Sequence, residues 1–454
     1  MADTLPPKIR YAYWYEGLNA VSYQICLGSP LILFANQLGA SAVVLGILTG
    51  LSPLTSIIQL VIAPYAEKIG YRKLMVNGWT ARVSILIFLV ILPLVSHLIG
   101  ESLAIWIMLA VMFTFTLSRG VAVCSWLPWI AAIVPKSMRG YFLSWDRLFV
   151  NGGTLIALAI SGVILLQHTM LGYSIVFLIS FLGGMASLVF LRRIPEPQGT
   201  SVPAEQAQEK LNWRTILSDG SFKRLIIFSC MVQLVIAASS TFTVVFVRDQ
   251  VGMGDGPILW LTAGAAILSM FATQVLRVRA DKVGSKPLLV FALGWWSIYF
   301  VVWFLLSVNG IAQSTLTVCL LMLANGFFAA VYDLALTRLL MNIAGDRPAS
   351  AQYFALHSVV TSVITGLAPI VWGLLLDGLQ GSSTRLAGFA LSNYSYLFGL
   401  QWVLLLLVGI ALVRLREANA QSFRQVIYDS FVAKPIKMIA GFVPALTHVL
   451  QRHR

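Results

Sequence analysis

The chain reads as an all-α membrane protein, with twelve transmembrane helices in two pseudo-symmetric six-helix bundles. Three observations carry that expectation: the composition, the recurrence of long apolar runs, and an internal repeat of charged residues and glycines. Of 454 residues, 58% are hydrophobic and only 11% charged, with mean hydropathy +0.85. A soluble domain of that size needs more charge to cover its surface. Apolar runs of about 20 residues recur along the chain, long enough to cross roughly 30 Å of hydrocarbon as helices. They are rich in Leu, Ile, Val and Ala and lack the alternation of a membrane barrel, so each run satisfies its backbone as a helix.

In order, the first six spans are expected near 14–37, 41–65, 73–97, 103–134, 142–167 and 170–192. The second six are expected near 223–247, 256–276, 287–308, 313–343, 352–377 and 390–415. Between them lies a polar stretch from Arg193 to Lys223 that contains Pro195, Pro197 and Pro203. The expected organisation is a first bundle over 1–192, a linker over 193–222, a second bundle over 223–416 and an amphipathic tail over 417–454. Six spans per half give both halves the same orientation, as a parallel repeat about the membrane normal requires.

The repeat is visible in charge. Glu67-Lys68-Ile69-Gly70-Tyr71-Arg72-Lys73 returns as Asp281-Lys282-Val283-Gly284-Ser285-Lys286, 214 residues later. Gly50 pairs with Gly264, and Met108-Leu109-Ala110 with Met322-Leu323-Ala324, at the same spacing. Asn36-Gln37-Leu38-Gly39 echoes Asp249-Gln250-Val251-Gly252, one residue out of step. Duplication inside a membrane protein points to a site between the halves.

Basic residues orient the spans. Lys8, Arg10, Lys68, Arg72, Lys73, Lys136, Arg139, Arg192, Arg193, Lys282, Lys286 and the tail share one side; Arg248 and Arg385 occupy the other. The excess of positive charge on internal loops then puts both termini in the cytoplasm, in a multi-pass plasma-membrane or inner-membrane protein. The net charge of +14 follows from that asymmetry and gives no reason to invoke nucleic acid. The four cysteines each fall within a span and the five histidines are scattered, so neither a disulfide framework nor a metal site is expected. No phosphate loop or H-E-x-x-H occurs. No cofactor, metal or catalytic residue is expected, and the chain does not read as an enzyme.

Charges inside spans point toward function. An ionised group near the bilayer centre costs about 2.5–3.5 kcal/mol on insertion scales, so it should face a cavity or a partner. Arg119 in span 4 and Asp333 in span 10 stand at the repeat offset with opposite charge. Further polar candidates are Asn19, Tyr23 and Gln24 on span 1, Trp126 on span 4, Gln233 on span 7, and Asn325 and Tyr332 on span 10. Each can instead join helix to helix. Glu16 reads as an interfacial charge, and His357 as a packing histidine.

Twelve spans in two sixes, a polar linker, and an acid-base-x-Gly-x-basic loop after spans 2 and 8 resemble the major facilitator superfamily over about residues 10–416. The family loop G-x-L-A-D-R-x-G-R-K maps onto Ala63 to Lys73, with Ala63 for the first Gly and Glu67 for Asp. In the second half Arg277 takes the first Gly position and Asp281 is the acid. The segment Pro135 to Phe142, its counterpart from Pro348 to Phe354, and Pro369-x-x-x-Gly373-x-x-x-Asp377 also resemble the family. Span 5 lacks the Gly-Pro of proton-driven drug exporters.

The resemblance implies a cavity lined by spans 1, 4, 7 and 10, with Arg119 and Asp333 facing each other across it, either as a binding pair for solute or proton or as a permanent structural ion pair. It implies a cytoplasmic latch of Glu67, Gly70, Arg72, Arg139, Asp281, Gly284 and Lys286. Arg82 would be a structural or interfacial charge, since span 3 is peripheral in the family. The function implied is secondary active transport of a small organic solute by alternating access, proton-coupled through Asp333, in a monomer surrounded by membrane lipid. The alternative is a transporter-like scaffold that recruits a partner through its basic tail.

Overall fold

The computed structural model describes residues 7–135, 138–167, 169–196, 213–276, 284–311, 313–344, 350–380, 384–386 and 389–415. Twelve helices among them are long and apolar enough to cross a membrane. Spans 1 to 6 are Arg10–Gln37, Ala42–Ala63, Tyr71–Ile99, Glu101–Ile130, Tyr141–Gln167 and Met170–Leu191. Spans 7 to 12 are Gly220–Asp249, Asp255–Leu276, Ser285–Ser307, Thr315–Ile343, Gln352–Gly378 and Asn393–Val413. The expected all-α fold gains one feature that composition did not reveal. Between spans 11 and 12, strands Thr384–Leu386 and Phe389–Leu391 pair antiparallel. The tail at 417–454 and most of the linker lie outside the described residues.

Several spans are broken where local chemistry demands it. Span 1 runs as Arg10–Leu27 and then Ser29–Gln37, with Pro30 opening the second piece. Proline has no N–H for the ladder, and a helix start is where that loss is tolerated. Span 7, its repeat partner, breaks between Ile236 and Ser239. Both interruptions fall beside the cavity described below, where irregular backbone is tolerated in a membrane protein.

The outer surface is apolar: Leu98 and Val413 are about three-quarters exposed, as lipid-facing side chains are. Large aromatic residues fill the interior. Phe34 packs on Tyr173 and Phe177 where span 1 meets span 6. In the second half Phe246 packs edge-on to Trp303 and Phe398.

Two ends of the bundle are distinguished by charge. The basic face carries Lys8, Arg72, Arg192 and Lys286; the far face carries Asp249, Asp255 and Asp377. At the basic face Gly70 and Gly284 begin spans 3 and 9 with φ of +94° and +89°. A β-carbon is strained at such angles, which accounts for a glycine at the same place in both copies of the loop.

The halves meet along two seams, both near the far face. Along the first, span 2 lies against span 11 so closely that a β-carbon on Gly46 would strike the Pro369 carbonyl. One on Gly50 would strike the carbonyl of Gly366, and one on Gly373 that of Ala42. Without a hydrophobic force between helices in lipid, such close backbone approach is what holds them. The second seam sets Gly162 of span 5 against Gly256 and Trp260 of span 8.

Candidate functional site

Between the halves lies a cavity of about 450 Å³ whose lining includes Tyr23, Ser52, Ser56, Gln59, Arg119 and Thr365. Arg119 is its cation. Its guanidinium lies 5.0 Å from the centroid of the Tyr23 ring, a cation–π distance. Among the described residues, no hydrogen bond or ion pair engages that guanidinium.

Asp333 is exposed. Two helical turns before it, Gly326 packs on Ala265 of span 8, so Asp333 lies on the flank of span 10 turned toward span 8. No ion pair joins it to Arg119 in this conformation. Gln233 is half-buried one turn before Ala237, which lines the cavity. The Gln24 side chain folds over Gly28.

The remaining candidates turn into the helix bundles. Asn325 accepts from the Trp296 indole at 3.0 Å. The buried Tyr332 ring packs 5.1 Å from the same indole. Trp126 is buried against Tyr15 and Trp129.

Asn19 is the centre of a network that the sequence did not announce. Its carbonyl oxygen accepts from Arg82 Nη1 at 2.8 Å and from Trp79 Nε1 at 3.3 Å. Its amide donates to Glu16 at 3.5 Å. Arg82 is only 1% exposed, which fits a structural charge rather than an interfacial one. Its guanidinium sits among three rings: Phe115 at 4.4 Å, Trp79 at 4.9 Å and Tyr23 at 5.9 Å. Arg82 Nε and Nη2 find no partner among the described residues. The Tyr23 ring therefore stands near two guanidinium groups, one buried and one in the cavity. A charged residue in the middle of an apolar span was the available signal for Arg82.

At the far face, a second network joins the halves. The Asp377 carboxylate accepts from the backbone N–H groups of Ala42 and Val43, both at 2.9 Å. These amides open span 2, where the helix dipole and unsatisfied donors favour an anion. Arg248 forms an ion pair with buried Asp255 at 3.1 Å and donates to the Leu33 carbonyl at 2.7 Å. It also bonds Gln37. Asp255 accepts from Tyr173 at 2.5 Å, and Asn36 donates to Asp249 at 2.8 Å. The last bond pairs two members of the Asn-Gln/Asp-Gln repeat.

Among the described residues, two loop cations at the basic face donate to carbonyls of their own halves. Arg72 donates to the Arg192 carbonyl at 2.6 Å, at the end of span 6. Lys286 donates to the carbonyls of Val413 and Leu415 at the end of span 12, at 3.2 and 2.8 Å. The side chains of Glu67 and Arg139, and all of Asp281, lie outside the described residues. No group of three His, Cys, Asp or Glu among the described residues could hold a metal.

Two pseudo-symmetric six-helix bundles around a polar cavity define a membrane transporter. Residues 17–278, more than half of the chain, match the Major Facilitator Superfamily, and the chain belongs to that family. Solved structures share its fold. A D-xylose–proton symporter superposes with TM-score 0.67 at 14% identity, covering 90% of this chain and 97% of its own. A bacterial homologue of the human lysosomal transporter Spinster, inward-facing and unoccupied, gives 0.67 at 13%, covering 92% and 100%. The nucleoside transporter NupG gives 0.62 at 12%, covering 90% and 99%. No curated protein matches the sequence.

Proposed function

We propose that the chain carries a small organic anion across the membrane by alternating access, coupled to protons. The observation that carries this reading is Arg119: a guanidinium in a polar cavity between the halves, with no described counter-ion. A carboxylate or phosphate on the solute would complete it, since an uncompensated charge at membrane depth is costly. Arg82 near Tyr23 adds to the positive potential, and Glu16, held through Asn19, offsets part of it.

The far-face network and the glycine seams support a conformation closed on that side. The charge distribution supports assigning the basic face, and both termini, to the cytoplasm. The conformation is then the inward-facing one. Asp333 is the exposed acid on the second half's side of the path, and its protonation would accompany solute movement. The same fold in a D-xylose–proton symporter is compatible with that coupling.

The test uses proteoliposomes loaded with a pH-sensitive dye and challenged with a panel of organic anions. Wild type should move protons with at least one anion, and Arg119→Gln should lose both anion binding and proton flux. Asp333→Asn should keep anion exchange yet lose pH-driven accumulation. Unchanged accumulation in Asp333→Asn would overturn coupling through that residue. Transport of neutral solutes alone would overturn the anion reading.

A further inference from the structure

At the basic face, two adjoining cavities of about 410 and 390 Å³ open where spans 1, 3 and 6 meet. Five cations line them: Lys8, Arg72, Lys73, Arg192 and Arg193. Glu196 is the single acid among the described residues of either lining. The chain brings these groups together from three separate places, the entry to span 1, the start of span 3 and the end of span 6. Loop charge that serves only to set topology needs the right side of the membrane, and has no need of a shared cavity.

The cluster is also fixed in place. Arg72 is oriented by its bond to the Arg192 carbonyl, and its Nε is buried without a partner among the described residues. Arg193 lies 5.8 Å from the Tyr11 ring centroid and 5.9 Å from that of Phe190. The Trp129 indole ties the segment after span 6 to span 4 through the Pro195 carbonyl at 3.0 Å. Glu196 compensates the cluster weakly. It stands 3.8 Å from Arg72, and both side chains are well exposed, the condition in which an ion pair contributes little.

A planar guanidinium presents paired donors that match phosphate oxygens, and three arginines around one cavity suit a phosphate better than a single carboxylate. Beside the pocket, an apolar stripe runs away from the basic face. Leu182, Met185 and Val189 on span 6 are exposed at helical spacing, and half-exposed Trp14 stacks on Phe190 at 6.2 Å. Charge at one end and exposed hydrocarbon beside it is the profile of a lipid, whereas a free phosphate has no use for the stripe.

We infer that this pocket binds the phosphate of an anionic phospholipid. Arg72, Arg192 and Arg193 hold the headgroup, and the acyl chains lie against Trp14 and Phe190. Bound lipid displaces Glu196 from Arg72 and joins the entries and exits of three spans of the first half. The site is separate from the solute cavity, and its existence does not depend on which solute is carried.

The full chain, purified and delipidated in detergent, is titrated with phosphatidylglycerol, phosphatidylcholine or inorganic phosphate, and read by native mass spectrometry and thermal unfolding. Phosphatidylglycerol should bind in one tight step and raise the melting temperature, while phosphatidylcholine and phosphate should not. The double variant Arg192→Gln/Arg193→Gln should weaken phosphatidylglycerol at least about tenfold, because two basic residues are lost from an anionic contact. Both side chains are exposed, so its lipid-free melting temperature should match wild type. Glu196→Gln should tighten binding a few-fold. Lys223→Gln/Arg414→Gln, which removes two charges from the second half's rim, should leave it unchanged. Equal binding of both lipids, or equal loss in the second-half variant, would overturn the site. Inorganic phosphate binding as tightly as phosphatidylglycerol would replace the lipid by a free phosphate and overturn the assignment.

Discussion

Arg72 and Lys286 stand 214 residues apart and do the same thing, each donating to the carbonyls that end the sixth span of its own half. Ten residues further on, the halves diverge. The first half buries the Arg82 guanidinium against Asn19 of span 1; the second places the Trp296 indole at the equivalent position, donating to Asn325 of span 10. Arg119 lines the cavity, while its counterpart Asp333 lies exposed with the opposite charge. Duplication therefore preserved the rim contacts that define each bundle while the two interiors diverged.

The strongest test of that divergence is at positions 82 and 296. Trp296→Ala should cost about 3–5 kcal/mol of stability, because it empties a large buried volume and strands the Asn325 carbonyl. Arg82→Met should cost far less, since an apolar side chain of similar length replaces a buried charge without leaving its partner charged. Detergent melting curves of the two variants decide it, and equal losses would mean that Arg82 holds the first bundle together as Trp296 holds the second.

The seams differ as well. Asp377 holds the start of span 2, whereas the start of span 8 carries its own Asp255, engaged by Arg248 and Tyr173. Asp377→Asn should weaken closure of the first seam by about 1.5–3 kcal/mol, the value of charge-assisted bonds. Labelling of a Thr49→Cys reporter by an impermeant thiol reagent, applied from the far side, should then speed up at least about tenfold. The smallest effect should be the most symmetric. Gly70→Ala and Gly284→Ala should each lose about 1–2 kcal/mol, since both force a β-carbon into a left-handed backbone. A large difference between them in thermal stability would show that the two loops are not equivalent.

Much of the fold was legible in the sequence. The apolar runs marked twelve spans, the 214-residue offset marked the halves, and Arg119 stood out as a cation where lipid would penalise one. Side-chain direction was not legible. In a soluble helix the apolar stripe tells which face turns inward, but a span is apolar all round and its periodicity is silent. Asn19, Asn325 and Tyr332 were therefore read toward the cavity when they turn to spans 3 and 9. For Arg82 the sequence leaves a structural and an interfacial charge equally open, and only burial separates them. The far-face acids gave a fainter signal: Asp377 was seen within a motif, but its partners are backbone amides, which no residue type reveals.

Composition and repetition alone determined that this chain crosses a membrane twelve times as two related sixes, because hydrocarbon tolerates little else than continuous helix. Tertiary structure decided which charges meet and where the halves touch. Those outcomes depend on how each helix is rotated and how closely glycines let backbones approach, quantities set by neighbours distant in the sequence.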